Sequence, residues 1–391
     1  MRSLSLVAVA LVGALALAAC EEDQAPPERL EMTWAQHTLP PHPGAPGRTV
    51  VRDAVECGDG WWVAGAVFLD RPTETRDTRP ALWFSADREQ WEPVPIDTHT
   101  YWGRRAILNS IACSRGRIAV VGARSGGAHG NPRVTTFWLD GDTLVDVRTV
   151  FTQYGGVSAT NVGPIAGGPT GWLITGNRTS GPGVWFTDDP RGFTLVEAEP
   201  GLTDDGDLES LAQGAGWTGE EWLVVGAGAR TGRHLEPDPL AWTSPDGLTW
   251  TPEEMPSTEG AQDAHRVTRL DDGTVVAVGR SNDAYAAWVR DDDGSWQDPV
   301  TFGSIADAWR GAPYVASLAT TTVGVLASVS TGDHYELWHT SDGREWQQVD
   351  VPVEPQTAGD HTLMVAAGGE VLVVADAGDG GHVWAGSPVS S

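Results

Sequence analysis

The chain has 391 residues and a formal net charge of −28, and its 25 basic residues are all arginine because the sequence contains no lysine. The negative charge disfavours nucleic acid and anionic lipid surfaces as partners. The lack of lysine excludes a P-loop and Schiff-base chemistry on a side-chain amine. Forty-eight glycines, 26 prolines and 19 tryptophans, with only 20% charged residues, are typical of many short strands joined by tight turns. This composition predicts an all-β fold.

The first nineteen residues predict a targeting segment rather than part of the fold. Arg2 supplies a positive start, residues 4–16 form an apolar run, and small residues precede Cys20. The run is too short to span a membrane. Residues 17–20, Leu-Ala-Ala-Cys, resemble the bacterial lipobox, in which the cysteine is lipidated and begins the mature chain. The alternative is an ordinary cleaved signal peptide.

The lipobox interpretation predicts three segments: a signal peptide over residues 1–19, a lipidated Cys20 with a flexible tether over 20–31, and a folded domain over 32–391. Cleavage removes Arg2, so the mature charge becomes −28 − 1 = −29. The protein is then expected to be exported and anchored to the bacterial cell envelope through the lipid at Cys20.

A tryptophan recurs near the end of an aromatic-apolar strand at separations of 46 to 57 residues. This spacing is the period of a β-propeller blade rather than of a helical repeat. Runs rich in Val, Ile, Leu and Trp between glycine-rich turns predict the buried strands of each unit. The seven recurring residues are Trp83, Trp138, Trp185, Trp242, Trp288, Trp338 and Trp384.

Within each unit this tryptophan lies on the third strand, and a turn such as Asp246-Gly247 or Asp342-Gly343 leads to the fourth. Asp-Gly between apolar strands predicts a type I′ hairpin, in which both central residues have positive φ. We expect the fourth strand to begin with another large aromatic residue in five of the units: Trp91, Phe193, Trp250, Trp296 and Trp346.

Six units have all four strands, whereas residues 361–389 supply only three. The missing strand matches residues 32–40 at the other end of the domain, whose pattern of Trp, Thr and Pro repeats that of 249–256. We therefore predict a monomeric seven-bladed β-propeller of four-stranded antiparallel blades, with the last blade closed by the N-terminal strand.

The turn between the third and fourth strands resembles the Asp-box of sialidase-like (BNR-repeat) propellers, whose pattern is Ser-x-Asp-x-Gly-x-x-Trp. Residues 244–250 give a shorter form, residues 340–346 repeat it with Thr in the first position, and residues 85–91 lack the glycine. The resemblance implies the propeller fold. Asp-boxes lie on the face away from sialidase active sites, so they indicate architecture rather than activity.

The loops from the fourth strand of one blade to the first strand of the next form the face that holds ligands in such propellers. Exposed Trp, Tyr and Arg dominate binding hot spots, and variable loops on a rigid scaffold carry function. The alternatives are tryptophans packed between blades and arginines that form surface ion pairs. The candidate ligand-binding residues are Tyr101, Trp102, Arg105, Arg266, Trp309, Arg310 and Tyr314.

These features favour a binding or scaffolding propeller at the cell envelope, with a protein or a glycan as its ligand. The alternative from another class is a sialidase-like glycoside hydrolase. In that case Arg48, Arg105, Arg266 and Arg310 would converge on a sugar carboxylate and a tyrosine, Tyr101 or Tyr314, would act as nucleophile. No acid can be assigned beside either tyrosine, so we name no catalytic residue and expect no cofactor.

Two further groups of residues leave alternatives open. Asp204, Asp205, Asp207 and Glu209 offer oxygen ligands for Ca²⁺, but they lack the EF-hand spacing, which favours a solvated acidic loop instead. No histidine or cysteine spacing indicates a metal centre. Cys57 and Cys113 occupy equivalent positions in adjacent blades, which is compatible with a disulfide formed after export or with two buried thiols.

Overall fold

The computed structural model describes residues 29–73, 76–126, 130–305, 311–357 and 361–389. The predicted signal peptide, Cys20, Trp309 and Arg310 lie outside these ranges. Within them, no helix has the length and apolar character that a membrane span requires.

Strands make up nearly all of the regular structure. In the first half of the chain they are β1 (Met32–His37), β2 (Gly47–Cys57), β3 (Gly60–Thr73), β4 (Arg76–Ser85), β5 (Glu92–Pro93), β6 (Ile96–Asp97), β7 (Ile107–Ser114), β8 (Arg117–Ser125), β9 (Pro132–Asp140), β10 (Thr143–Asp146), β11 (Ala159–Gly168), β12 (Gly171–Arg178), β13 (Gly181–Thr187) and β14 (Thr194–Val196). In the second half they are β15 (Leu208–Trp217), β16 (Trp222–Arg230), β17 (Asp238–Ser244), β18 (Thr251–Glu254), β19 (Gln262–Arg269), β20 (Val275–Ser281), β21 (Ala284–Arg290), β22 (Val300–Phe302), β23 (Tyr314–Thr321), β24 (Gly324–Ser330), β25 (Tyr335–Thr340), β26 (Gln347–Val349), β27 (Thr362–Val365), β28 (Val371–Asp376) and β29 (Gly381–Pro388). Short 3₁₀ turns occur at Gly103–Arg105 and Phe151–Gln153.

These strands pair into seven sheets, which confirms the predicted seven-bladed propeller. Blade 1 is β2–β5, blade 2 is β7–β10, and blades 3 to 6 follow as β11–β14, β15–β18, β19–β22 and β23–β26. Blade 7 joins β27–β29 to β1, which runs antiparallel to β29 from Met32 opposite Pro388 to His37 opposite Val383. The N-terminal strand therefore closes the ring. Blade 2 has an additional edge strand, because β6 pairs parallel with β10.

Two local predictions were wrong. In blade 5 the fourth strand begins at Val300 rather than near Trp296, which forms only an isolated bridge to Arg290 and donates its indole N–H to Glu253. The strand 3–4 turns are also not type I′, because φ is positive at Gly247 and Gly343 but not at the aspartates before them. Asp246 Oδ1 instead accepts the N–H groups of residues 248 and 249, both at 2.8 Å.

In blades 1, 3 and 5 the recurring tryptophan is a core residue that also holds the loop leading into its blade. Trp83, Trp185 and Trp288 are fully buried. Their indole N–H groups donate to carbonyl groups of these loops: Trp83 to Pro40 at 2.9 Å, Trp185 to Gln153 at 2.7 Å and Trp288 to Pro256 at 2.9 Å. A buried indole N–H needs a partner, so the repeat sets the position of the loops as well as of the strands.

The innermost strands of blades 1 to 6 each contain an irregularity of register near their middle. A bulge leaves backbone groups outside the ladder, and here side chains near the bulges bond to the neighbouring blade. At five junctions a side chain accepts a backbone N–H group of the next blade: Asp53 Oδ2 from Ile111, Ser110 Oγ from Ile165, Asn177 Oδ1 from Ala212, His265 Nδ1 from Val315 and Ser317 Oγ from Val365. At the other two junctions a side chain donates to a backbone carbonyl: Arg266 Nη1 to Gln213 and Thr362 Oγ1 to Val51. All seven junctions are bridged in this way.

Strand direction defines two ends of the propeller. The upper face carries the loops that enter each blade and the hairpins between second and third strands. The lower face carries the hairpins between first and second strands and the turns between third and fourth strands. Arg29 and Leu30 lie at the lower face, because β1 starts opposite Pro388 and Leu30 bonds to the Gln348 carbonyl at 3.0 Å.

Candidate functional site

A central cavity of about 980 Å³ runs between the innermost strands. Its wall consists mainly of small and apolar side chains and backbone. Charged residues of both signs interrupt this wall, and two of them, Asp53 and Arg266, lie on β2 and β19 near the middle of the strands. This volume lies within the range of small-molecule sites in proteins.

Arg266 is the only one of the predicted ligand-binding arginines, among the described residues, that lies in the cavity wall. Its Nε donates to Ala316 O at 3.1 Å, and its Nη1 donates to His265 O at 2.8 Å and to Gln213 O at 3.2 Å. It therefore bridges blades 4, 5 and 6. No carboxylate within the described ranges forms an ion pair with it, and burial lowers the pKa of its guanidinium.

Asp53, in the same wall, stabilises the contact between blades 1 and 2. Burial raises the pKa of its carboxyl to about 6, although the N–H groups of Ile111 and Ala54, which donate to it, act in the opposite direction. Because both oxygens accept backbone hydrogen bonds, the carboxylate is committed to holding blade 1 against blade 2.

Arg280 in blade 5 forms a compact network at the upper face with one acid, Asp263, and one histidine, His265. Its Nε and Nη2 donate to the two oxygens of Asp263 at 3.0 and 2.6 Å, and His265 Nε2 lies 3.0 Å from Asp263 Oδ2. Burial alone would raise the pKa of Asp263, but the hydrogen bonds from His265 and Arg280 outweigh it and lower that pKa. Burial lowers the pKa of His265. This network is closed and leaves Asp263 fully paired.

A second network joins blades 7 and 1 at the upper face. Arg48 Nη1 lies 3.1 and 3.0 Å from the oxygens of Asp376, and Arg52 Nη1 lies 3.6 Å from the same fully buried carboxylate. Nearby, the hydroxyl groups of Tyr314 and Tyr335 are 2.8 Å apart. Burial raises the pKa of Tyr335. These arginines balance a buried acid instead of presenting an unoccupied cationic cluster.

The chain contains five tyrosines, all within the described ranges, and none of their hydroxyl groups bonds to a carboxylate. Tyr101 bonds to Arg105, Tyr154 to Thr136, Tyr285 to the Ser330 carbonyl, and Tyr314 and Tyr335 to each other. A tyrosine nucleophile needs a base within hydrogen-bond reach. The described residues therefore lack the tyrosine–acid pair that the glycoside hydrolase alternative requires.

Three of the predicted ligand-binding residues do lie together. Tyr101, Trp102 and Arg105 form a cluster on the upper face between blades 1 and 2, with the Tyr101 ring edge-on to that of Trp102 at 4.8 Å. The Arg105 guanidinium lies 5.2 and 5.7 Å from the two ring centroids and also contacts Asp77 at 3.4 Å. Tyr101 is 49% exposed. Trp102 is partly exposed and packs on Gly126, where any Cβ would clash with its indole ring.

The structure also places the residues whose roles the sequence left open. Asp204 and Asp205 accept hydrogen bonds from Ser210, Asp207 and Leu208 within their own loop. No group of three or more potential metal ligands occurs in the part of the chain that the structure describes. Cys57 and Cys113 form a disulfide, with Cα atoms 5.4 Å apart, that joins the lower ends of the inner strands of blades 1 and 2.

Sequence reasoning did not identify a pair of residues in the wall between the central cavity and a second pocket of about 190 Å³. Arg133 and Phe151 line both spaces, and the Arg133 guanidinium lies 4.7 Å from the Phe151 ring centroid. A signal was present: residues 98–139 contain six arginines and no acidic residue, in a chain with 53 acids. The segment from residue 98 to residue 139 is thus basic in an acidic protein.

No family model matches the chain, and no curated protein sequence matches it. Similarity is found to solved structures. A protein from Lactobacillus plantarum is 12% identical with a TM-score of 0.52, over 85% of this chain and 95% of that one. Virginiamycin B lyase from Staphylococcus aureus is 10% identical with a TM-score of 0.51, over 92% and 100%. At such identities the likeness shows the fold alone.

An α-L-arabinofuranosidase of Fusarium graminearum, bound to arabinobiose, is 14% identical over 90% of this chain and 97% of that one. Its TM-score is 0.42. This value is too low to carry an argument about function.

Proposed function

We propose that the protein is an exported lipoprotein whose propeller binds a protein or glycan of the cell envelope through its upper face. The observation that carries this proposal is that the N-terminal entry of the chain and the exposed aromatic–arginine cluster lie on opposite faces of the propeller. The chain enters the fold at the lower face, at Arg29 and Leu30, whereas Tyr101, Trp102 and Arg105 are presented at the upper face.

An anchor at Cys20 would lie nine residues before Arg29. Nine residues span at most about 30 Å even when fully extended, so the lower face would be the one nearest to the membrane. The upper face would then point away from it and be accessible to partners. The net charge of −28 disfavours close adsorption to anionic lipid, which is consistent with attachment through a tether.

The partners of the arginine and tyrosine side chains favour a binding role over hydrolysis. The described arginines that would form a sialidase-like cluster each have other partners: Arg48 pairs with Asp376, Arg105 with Asp77, and Arg266 with backbone carbonyls. The tyrosine hydroxyls have no carboxylate partner among the described residues. We therefore propose a ligand-binding role without catalysis.

We also propose that the repeat is related to the sialidase-like propellers. Three turns of the lower face support this: in each, an aspartate, Asp87, Asp246 or Asp342, accepts the N–H groups two and three residues ahead at 2.8 to 3.0 Å. Each also accepts a hydroxyl from the Ser or Thr two residues earlier. The relationship concerns architecture and carries no activity.

The test is affinity capture from solubilised envelopes with the purified lipidated protein. Replacing Tyr101, Trp102 and Arg105 together by Ala should abolish capture, because aromatic and arginine side chains supply most of the energy of such interfaces. Arg344→Ala, an exposed arginine of the lower face, is the matched control and should capture normally. Retained capture by the triple variant, or loss in the control, would place the ligand elsewhere.

Anchoring has its own test. Cys20→Ser should move the protein from membrane to soluble fractions, since the mature sequence has no other apolar run that approaches the length of a span. A variant that stays membrane-bound after washing with high salt would contradict the lipid anchor.

A further inference from the structure

The basic stretch of blade 2 contains one arginine whose position differs from that of the others. Arg105 and Arg124 pair with Asp77, Arg104 donates to the carbonyls of Thr98 and His99, and Arg115 and Arg117 donate to the Asp188 carbonyl. Arg133 alone has no hydrogen bond or ion pair with any residue in the described ranges. Its guanidinium is held only against the face of Phe151.

The surroundings of Arg133 form a pocket of about 190 Å³ that opens beside the central cavity. Trp102 and Phe151 contribute aromatic rings to its lining, and Thr149 contributes a hydroxyl-bearing side chain. Thr100 also lies in the lining, but its hydroxyl donates to Asp146 Oδ2 and accepts the Gly103 N–H. Phe151 is 60% exposed and Val150 beside it is 70% exposed. Exposed apolar side chains grouped around a concave site, with a cation in its wall, are typical of a ligand site rather than of an inert surface.

We infer that this pocket binds one ring of an acidic oligosaccharide, with Arg133 contacting a carboxylate on the sugar. The inference rests on the proposed binding function and names its ligand class. A pyranose ring presents a face of C–H groups that packs on aromatic rings, and its hydroxyls match the hydroxyl of Thr149. Arginine donates two parallel hydrogen bonds to a carboxylate.

The shape of the pocket favours a sugar over an acidic peptide. An extended peptide advances about 3.3 Å per residue and requires a groove several residues long beside a strand edge. The pocket is compact, and it is closed on one side by residues 147–155, from which Val147 donates to the Thr136 carbonyl at 2.9 Å. The neighbouring central cavity leaves room for further sugar units.

The charge of the region supports an anionic ligand. Between residues 98 and 139 the chain is free of acids. One acid outside this segment, Asp146, bonds to the lining residue Thr100, and its carboxylate also accepts the His99 N–H. Elsewhere, 53 acidic residues face 25 − 6 = 19 arginines, and this excess of negative charge would repel an anionic ligand.

The test is isothermal titration calorimetry of the purified mature protein with trigalacturonate. Its fully methyl-esterified form keeps the rings and removes the charge, whereas pentaglutamate keeps the charge and removes the rings. Trigalacturonate should bind, and neither of the other probes should bind within tenfold of its affinity. Arg133→Gln and Phe151→Ala should each weaken binding by about tenfold or more, whereas Arg344→Gln should change it less than twofold. Melting temperatures check that every variant is folded.

Equal or tighter binding of pentaglutamate would overturn the inference in favour of an acidic protein partner. Equal binding of the methyl ester would show that the carboxylate is not recognised. Absence of trigalacturonate binding, with envelope capture retained and sensitive to Tyr101, Trp102 and Arg105, would reject the sugar class alone. Loss of both would reject the proposed function as well.

Discussion

Two arginines of the upper face, Arg280 in blade 5 and Arg133 in blade 2, occupy different electrostatic settings. Arg280 donates to both oxygens of Asp263, which also bonds to His265. Arg133 stacks on Phe151 and has no polar partner among the described residues. In an acidic protein most arginines are expected to act as counter-charges, as Arg280 does. Arg133 lies in a segment without acids, residues 98–139, and its guanidinium is available for another molecule.

The comparison separates residues that hold the ring together from residues that face a ligand. The bridges between blades, the closure by β1 and the Asp263 network belong to the first group. The surface around Trp102, Arg133 and Phe151 belongs to the second. Changes in the first group should lower stability, and changes in the second should lower binding with little effect on stability.

The largest expected effect comes from opening the ring. Deleting residues 32–39 removes β1, leaves the edge of β29 unpaired and removes Trp34, whose indole donates to Asp350 O at 2.8 Å. Exposed strand edges recruit other chains, and loss of a packed tryptophan costs about 3 kcal/mol or more. The truncated protein should aggregate and lose its cooperative melting transition. Deleting residues 21–28 is the control and should leave the transition unchanged. An unaltered melting curve without residues 32–39 would mean that this strand does not contribute to closure.

A smaller effect, dependent on pH, is expected for the Asp263 network. The pKa of Asp263 is lowered in the folded protein, so its contribution to stability is present above the unfolded pKa of about 3.9 and is lost as pH falls below it. Asp263→Asn should reduce the free energy of unfolding at pH 7 by about 2 kcal/mol, less than for a fully buried pair because Arg280 is partly exposed.

The measurement is the urea midpoint of both proteins at pH 7 and at pH 3.5. The difference between wild type and Asp263→Asn should shrink at the lower pH, where the wild-type carboxylate begins to be protonated on unfolding. Asp53 has a raised pKa, so its contribution to stability changes with pH in the opposite direction. This contribution is the same in both proteins and does not affect their difference. A difference that stays constant between the two pH values would contradict the assignment.

The fold could be predicted from the sequence because its signals are local and repeated. The recurring tryptophans, the turns after them and the match between the two chain ends were sufficient to predict seven blades and their closure. The bridges between blades could not be predicted, since they join residues 35 to 311 positions apart whose proximity depends on the ring. In blade 5, Trp296 bonds to Glu253 of the preceding blade and the fourth strand begins only at Val300; no local pattern encodes this long-range contact.

The candidate site was predicted only in part. Tyr101, Trp102 and Arg105 come from one loop, so their proximity follows from the sequence. Arg266 and Tyr314 were predicted as ligand contacts, yet Arg266 is held by three carbonyl groups and Tyr314 bonds to Tyr335. Arg133 and Phe151 lie in different segments and meet only in the folded protein. A search for arginine-rich, acid-free stretches would have identified the region around residues 98–139.

The most direct test of the distinction between stabilising and ligand-binding arginines compares Arg133→Gln with Arg280→Gln. Each variant is assayed for melting temperature and for trigalacturonate binding. We expect Arg133→Gln to lose about tenfold in affinity with a change in stability below about 0.5 kcal/mol. Arg280→Gln should melt several degrees lower, because Asp263 loses its bidentate partner, and should bind as the wild type does. Equal destabilisation by the two substitutions, or unchanged binding in Arg133→Gln, would contradict the conclusion that the arginine of blade 2 is kept for a ligand.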